Sequence, residues 1–279
     1  MMELNPIYVD RVVAAALEED VGCGDITTAL TVPDGINAAG VILAREAGVI
    51  AGLGVAQAVF HTVDLCVTID RRAKDGDMVP LGGQIAIVSG NARAILTGER
   101  VALNFLQRMS GIATLTSRFV EQVAHTKARI IDTRKTTPGL RALEKYAVRL
   151  GGGRNHRFGL FDGILIKDNH IAAAGGVRQA VEAATANGPH NLGVEVEVTD
   201  IDQLREAISA GADAVLLDNM STELMRQAVE IGQGKVIFEA SGGVTLQNAR
   251  EIAETGVDLI SVGALTHSAP ALDISLELR

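Results

Sequence analysis

A chain of 279 residues with 47% hydrophobic content can bury a full core and fill one large domain or two unequal ones, which excludes a disordered chain. Its formal net charge of −9 lacks the accessible basic field that nucleic acid or an anionic membrane surface requires. The two cysteines, Cys23 and Cys66, have neither CxxC spacing nor histidine company, so no disulfide framework or zinc site is expected, and a reducing, cytoplasmic setting is.

The amino terminus carries Glu18, Glu19 and Asp20 and no basic segment followed by an apolar run, so no secretory signal is expected. No window approaches the roughly 18 apolar residues of a membrane span. From Asn5 to Glu19 the residues Ile7, Val12, Val13, Ala16 and Leu17 recur at helical spacing, with Pro6 near the start and Gly22 beyond the end; this predicts an opening helix. Between Ala38 and Val88 short β-prone runs at 40–43, 66–69 and 85–88 alternate with glycine turns, the pattern of a small α+β domain. Thr97 to His125 has helical periodicity, and Gly111 predicts a break between two helices.

From Ala128 onward the chain repeats a short apolar strand, a polar residue at its end and a helix. Six strands are predicted, over 129–132, 163–167, 193–198, 214–218, 236–240 and 259–263. Near-continuous apolar runs joined by helices read as parallel strands covered on both faces. Three segments beginning at Gly159, Gly211 and Gly256 resemble one another, which favours a β/α barrel over an open sheet. No Gly-x-Gly-x-x-Gly follows the first of these strands, which removes the best sign of a dinucleotide-binding sheet.

Parallel barrel strands converge their carboxyl ends on one rim. Here those ends read Asp132, Arg134 and Lys135; Lys167, Asp168 and Asn169; Glu195 and Glu197; Asp218 and Asn219; Glu239 and Ser241; and Gly263. A charged residue past a single strand is ordinarily a solvated loop residue or helix cap. Polar residues at one strand end after another, with cations on the early strands and carboxylates on the later ones, exceed that explanation. From Lys127 to Arg157 there are nine Lys and Arg residues against two acids, Asp132 and Glu144, in an acidic chain. Such a reversal suits a multiply anionic substrate. The four-residue spacing of Arg141, Lys145 and Arg149 predicts a solvated helix face instead. Ser241, Gly242 and Gly243, with Val262, Gly263 and Ala264 after the next strand, suit a phosphate held by backbone N–H groups, aided by a helix expected to open near Thr245.

In order along the chain, Glu19-Asp-Val-Gly-Cys-Gly-Asp-Ile-Thr-Thr28, Gly98-Glu-Arg-Val-Ala-Leu-Asn104, Asp132-Thr-Arg-Lys-Thr-Thr-Pro-Gly-Leu-Arg141, Gly151-Gly-Gly-Arg-Asn-His-Arg157, Leu165-Ile-Lys-Asp-Asn-His170, Glu195-Val-Glu197, Leu217-Asp-Asn-Met220 and Glu239-Ala-Ser-Gly-Gly243 resemble the quinolinate phosphoribosyltransferases. The resemblance spans nearly the whole chain. It implies an α/β fold: an incomplete β/α barrel (residues 111–267) with an amino-terminal α+β sandwich domain (1–110), to which 268–279 return. It implies a homodimer or hexamer in which Arg100 reaches a neighbour's site. Thr133, Arg134, Lys135, His156, Arg157 and Lys167 fall on positions around the pyridine dicarboxylate and incoming phosphates. Glu197 and Asp218 match carboxylates facing ribose and magnesium, and Ser241–Gly243 with Val262–Ala264 match the phosphate loops.

The implied reaction joins quinolinate to phosphoribosyl pyrophosphate, giving nicotinate mononucleotide, pyrophosphate and carbon dioxide in NAD biosynthesis. Lys135, Glu197 and Asp218 are the expected catalytic residues, and Mg2+ is the expected metal, on Glu197 and Asp218. Carboxylates suit an oxocarbenium-like state and a metal suits the leaving pyrophosphate, while no redox cofactor is called for. Three other readings compete. A related group of pyrophosphorylases found with molybdate transport shares the Thr-Arg-Lys-Thr-Thr-Pro-Gly pattern, but two ring carboxylates better explain the full Gly-Gly-Gly-Arg-Asn-His-Arg segment. A Schiff-base aldolase could use Lys167 yet has no call for Arg134, Lys135 and Arg157. A non-catalytic anion binder has no use for Glu197 and Asp218.

Overall fold

The computed structural model describes residues 4–279; the first three, counted above with the amino-terminal domain, lie outside the described residues. The chain begins with α1 (Pro6–Val21), α2 (Ile26–Thr31), β1 (Asn37–Ala44), β2 (Gly48–Val49), α3 (Leu53–Val63), β3 (Thr68–Arg71), β4 (Met78–Val79), β5 (Gln84–Asn91) and α4 (Ala92–Val123). It continues through β6 (Arg129–Ile131), α5 (Arg141–Leu150), β7 (Ile164–Ile166), α6 (Asp168–Ala174), α7 (Val177–Asn187), β8 (Val194–Val198) and α8 (Ile201–Ser209). Last come β9 (Ala214–Asp218), α9 (Thr222–Gly232), β10 (Ile237–Ser241), α10 (Ala249–Ala253), β11 (Leu259–Ser261), α11 (Ala264–His267) and β12 (Ile274–Leu278). Two compact units result, and they do not follow a single cut. The first holds the described residues up to Ser117, then Thr136–Gly152 and Thr266–Arg279; the second holds Arg118–Lys135 and Gly153–Leu265.

In the first unit an antiparallel sheet has the order β12-β1-β5-β3, and β2 pairs with β4. The last strand therefore returns to the first, with Ile42 opposite Leu276. α1 starts where predicted because the Asn5 side chain accepts the Ile7 N–H and Pro6 occupies the first turn, and it ends at Gly22, whose φ of 52° a side chain would disfavour. Gly111 does not break α4. The helix is continuous, and a Cβ at Gly111 would fall on the Pro270 carbonyl oxygen and 3.0 Å from its carbon. The residue is small because backbone passes against the helix there, and propensity yields to that contact.

α5 also departs from the sequence reading. Lys145 is buried rather than solvated and Arg141 donates through Nε to Thr136 Oγ1 at 2.9 Å. The adjoining Glu144 is buried too, accepting from Arg108 Nη2, Thr137 Oγ1 and the Thr137 N–H at 2.8, 2.8 and 3.0 Å. Buried charges of this kind are retained where partners are supplied. Cys23 and Cys66 are both exposed thiols.

The second unit is an incomplete β/α barrel, six parallel strands in the order β6-β11-β10-β9-β8-β7. Its two edges are β6 and β7, and part of the gap is filled by residues 154–157. Arg154 bridges to Ile131, with the Arg154 N–H on the Ile130 carbonyl at 2.9 Å and the Asp132 N–H on the Arg154 carbonyl at 3.1 Å. In β8 the valines 194, 196 and 198 are buried and Glu195 and Glu197 are half-buried. A strand's side chains alternate between faces, so both glutamates share one. Among the described residues no helix is long and apolar enough to cross a membrane.

Candidate active site

Two-residue alternation along each strand builds the site. Leu165 and Lys167 from the β7 end, Glu197 from β8, Leu216 and Asp218 from β9, Glu239 and Ser241 from β10, and Ser261 from β11 line one cavity of about 200 Å3. Register sets the layers, since Leu216 stands opposite both Glu197 and Glu239 while Asp218 stands opposite Ser241. Thr133, Arg134 and Lys135, just past β6, and His156 and Arg157, from the gap segment, complete the lining.

Of the residues singled out from the sequence, Thr133, Arg134, Lys135, His156, Arg157, Lys167, Glu197, Asp218 and Ser241 thus come together. Gly242 and Gly243 follow Ser241 with φ of 91° and 59°, and Val262 is buried, its N–H on the Ile131 carbonyl at 3.0 Å. These two glycines, like Val262, Gly263 and Ala264, adjoin the lining residues without being among them. The helix expected near Thr245 begins at Ala249 and has five residues. Thr245 and Asn248 exchange side-chain hydrogen bonds at 2.7 and 3.4 Å, which makes a turn first and leaves the helix dipole no short path to Gly243. Arg100 is exposed on α4 in the first unit.

Three side chains named at strand ends but given no role there also matter. Asp132, predicted on the rim, is fully buried, and accepts Asn155 Nδ2 at 2.6 Å and the His156 N–H at 2.9 Å. It holds the gap segment to the end of β6. Glu239 lines the cavity and Glu195 stands two residues before Glu197 on β8, with His156 Nε2 at 3.2 Å from Glu195 Oε2 and 3.7 Å from Glu239 Oε2. Glu239 is 1% exposed and its Oε1 is a buried atom without a hydrogen-bond partner. Burial, then the neighbouring charge of Glu195, pushes the Glu239 carboxyl well above the usual range.

His156, Glu195 and Glu239 bring one ligand atom each within 4.8 Å of one another. Yet the Arg157 N–H donates to His156 Nδ1 at 2.6 Å, so the ring proton of the neutral imidazole sits on Nε2 and faces the carboxylates. A metal there would have to displace that proton, and the trio reads as a hydrogen-bonded proton site. Magnesium, which takes oxygen ligands, fits Glu197 and Asp218 better. Burial raises the Glu197 carboxyl above its ordinary value; Lys167 opposes the shift, and Asp218 and Asp168 add to it more weakly. Lys167 Nζ stands 3.6 Å from Glu197 Oε2. Arg157 is pushed down, by burial and then by Arg134, while its Nη1 donates to the Gly163 carbonyl at 3.0 Å. Glu195 and Asp162 oppose that shift, and neighbouring guanidinium groups suit an anionic ligand.

The chain as a whole has known relatives. Residues 25–110 match the family described as quinolinate phosphoribosyl transferase, N-terminal domain, and residues 112–277 match the corresponding C-terminal domain. The chain belongs to the quinolinate phosphoribosyltransferase family. It is 44% identical over 275 residues to the "Probable nicotinate-nucleotide pyrophosphorylase (carboxylating)" of Bacillus subtilis strain 168, covering 99% of this chain and 95% of that one. It is also 44% identical to the mitochondrial quinolinate phosphoribosyltransferase (decarboxylating) 2b of Nicotiana tabacum, across 98% of this chain and 83% of that one. Among solved structures, the nicotinate-nucleotide pyrophosphorylase of Francisella tularensis superposes with a TM-score of 0.95 at 44% identity, covering 99% of this chain and 98% of that one. NadC from Streptococcus pyogenes gives 0.96 at 44% identity, covering 100% and 99%. The family's two-part architecture is thus matched throughout. Sequence order alone did not disclose that Asp132 holds His156 in place, because the two are 24 residues apart.

Proposed function

We propose that this chain transfers the ribose 5-phosphate of phosphoribosyl pyrophosphate to quinolinate, releasing pyrophosphate and carbon dioxide and forming nicotinate mononucleotide for NAD biosynthesis. The observation that carries the reading is one cavity with opposite chemistries on its walls: Arg134, Lys135, Arg157 and Lys167 on one set of elements, Glu197 and Asp218 on the other. The cations orient a ring bearing two carboxylates, and orientation with loss of water is most of what this reaction asks of a protein. Glu197 and Asp218 face the anomeric carbon as its bond to pyrophosphate breaks and positive charge grows on the ribose. The pyridine nitrogen forms the new bond to that carbon. Once quaternary, the ring accepts the electron pair of the C–C bond that releases carbon dioxide, and the ring carbon then takes a proton.

Lys135 offers its charge to the departing pyrophosphate, and the turn at Ser241–Gly243 with Val262–Ala264 receives the ribose phosphate through backbone N–H groups. Mg2+ on Glu197 and Asp218 supplies charge neutralisation at the leaving group when bound. His156 is better suited to shaping the wall than to pairing with an anion, since its Nδ1 accepts from Arg157 and its Nε2 faces Glu195. We further infer a cytoplasmic homodimer or a hexamer of dimers, with Arg100 contributed to a neighbour's cavity. The exposure of Arg100 supports that role.

The test is to incubate the protein with quinolinate, phosphoribosyl pyrophosphate and magnesium and to follow nicotinate mononucleotide, with nicotinate as control. Product from quinolinate alone is expected. Product from nicotinate alone overturns the dicarboxylate assignment of Arg134, Arg157 and Lys167.

A further inference from the structure

Among the described residues, Asn219 alone combines a side chain with a clearly left-handed backbone, at φ 51°. Asparagine tolerates this region better than most residues but still pays for it, and such positions persist where the surroundings hold them. Asn219 follows β9 directly and is exposed, so no core packing demands the conformation. Three contacts do. Its N–H donates to the Ser241 carbonyl at 2.9 Å, extending the β9–β10 ladder by one bond. Its Nδ2 donates to Asp218 Oδ2 at 2.9 Å. Its side chain also covers Gly242, where a Cβ would fall on Asn219 Oδ1 and 2.5 Å from Cγ.

The left-handed turn thus folds one amide back between the Asp218 carboxylate and the glycine turn after β10. We propose that Asn219 is a positioning residue for the transfer reaction: its amide fixes the Asp218 carboxylate and the Ser241–Gly243 turn relative to each other. The proposal rests on the reading of Asp218 and that turn given above. It also explains why glycine is required at 242 for space as well as for its φ of 91°.

Asn219→Gly separates this role from a purely structural one, because glycine adopts the left-handed conformation freely and lacks only the amide. Asn219→Asp keeps the size but sets a second acid beside Asp218. Expected for the glycine variant are an unchanged or higher Tm, an unchanged quinolinate Kd, and kcat/KM for phosphoribosyl pyrophosphate lowered about 10- to 100-fold, the scale for losing a group that orients a ligating carboxylate. The aspartate variant should lose at least as much. Wild-type kcat/KM in the glycine variant would overturn the proposal, as would a loss of quinolinate affinity equal to the loss of phosphoribosyl pyrophosphate affinity. Should the wild-type protein not use quinolinate at all, the functional reading fails by itself, and a crystal structure of Asn219→Gly still decides the point. An unmoved Asp218 carboxylate and an unmoved 241–243 turn refute positioning; a turned carboxylate supports it.

Discussion

Replacing Asp132 with alanine removes the acceptor that ties the gap segment of the barrel to β6. Two donors lose their partner, Asn155 Nδ2 at 2.6 Å and the His156 N–H at 2.9 Å, both aimed at a carboxylate that is itself fully buried. Hydrogen bonds to a charged group contribute about 1.5–3 kcal/mol each, so the expected loss is about 3–6 kcal/mol. For a chain of this size that corresponds to a fall in Tm of roughly 6–12 °C, at about 2 °C per kcal/mol. Asp132→Asn can still accept one of the two bonds and should lose about half as much. Thermal unfolding followed by circular dichroism reads the stability, and steady-state kinetics read the site. The alanine variant should show a raised KM for quinolinate, because Arg157 hangs on the segment that Asp132 anchors. A Tm shift under about 2 °C with unchanged quinolinate KM would refute the reasoning, since it would mean the ladder contacts of Arg154 hold the segment unaided.

Gly111→Ala should destabilise by about 1–3 kcal/mol or more, because the new methyl meets the Pro270 backbone and not a movable side chain; urea unfolding measures it. The raised Glu197 carboxyl predicts an acid limb in kcat displaced upward from the ordinary glutamate range, activity rising as the carboxylate forms. Lys167→Ala removes the charge that opposes this shift, so the limb should move to higher pH in a kcat profile. The same shift acts on stability: Glu197 contributes most below its unfolded value and loses that contribution as pH rises through the folded one. Glu197→Gln should therefore melt above wild type at neutral pH, match it in acid and be catalytically poor; a variant melting below wild type at neutral pH contradicts this. Chelating divalent metal should abolish product formation and added magnesium should restore it.

Much of the fold could be read in the sequence because local and tertiary preferences agree. Asn5, Pro6 and Gly22 bracket α1 by capping chemistry alone, and the apolar runs of β6 to β11 are strands that nothing else in the chain contests. Disagreement arises where a distant segment decides. Gly111 reads as a helix breaker until Pro270 lies against it. Lys145 reads as solvated until the rest of its unit buries it. The cations and carboxylates of the cavity were legible because strand ends of parallel sheets converge by topology. Asp132 and Glu239 were legible as polar strand-end residues but not as buried ones, since their partners Asn155, His156 and Glu195 sit on other elements. The turn at Thr245–Asn248 displaced the expected helix start through two reciprocal bonds, each from one residue's backbone N–H to the other's side-chain oxygen, a choice that propensity does not rank.

The pairing of β12 with β1 has a consequence for the order of events on the ribosome. Ala44, at the end of β1, pairs with Ile274. At synthesis rates of about 5–20 residues per second, on the order of 10–50 s separate the two partners' emergence. During that interval β1 presents an unpaired edge whose apolar residues Val41, Ile42 and Leu43 suit pairing with another nascent chain. A ribosome stalled before Ile274 leaves the first sheet permanently open on that side. Quality control of this fold thus has its vulnerable period set by the distance between two strands that are neighbours in space but separated along the chain by all that lies between Ala44 and Ile274.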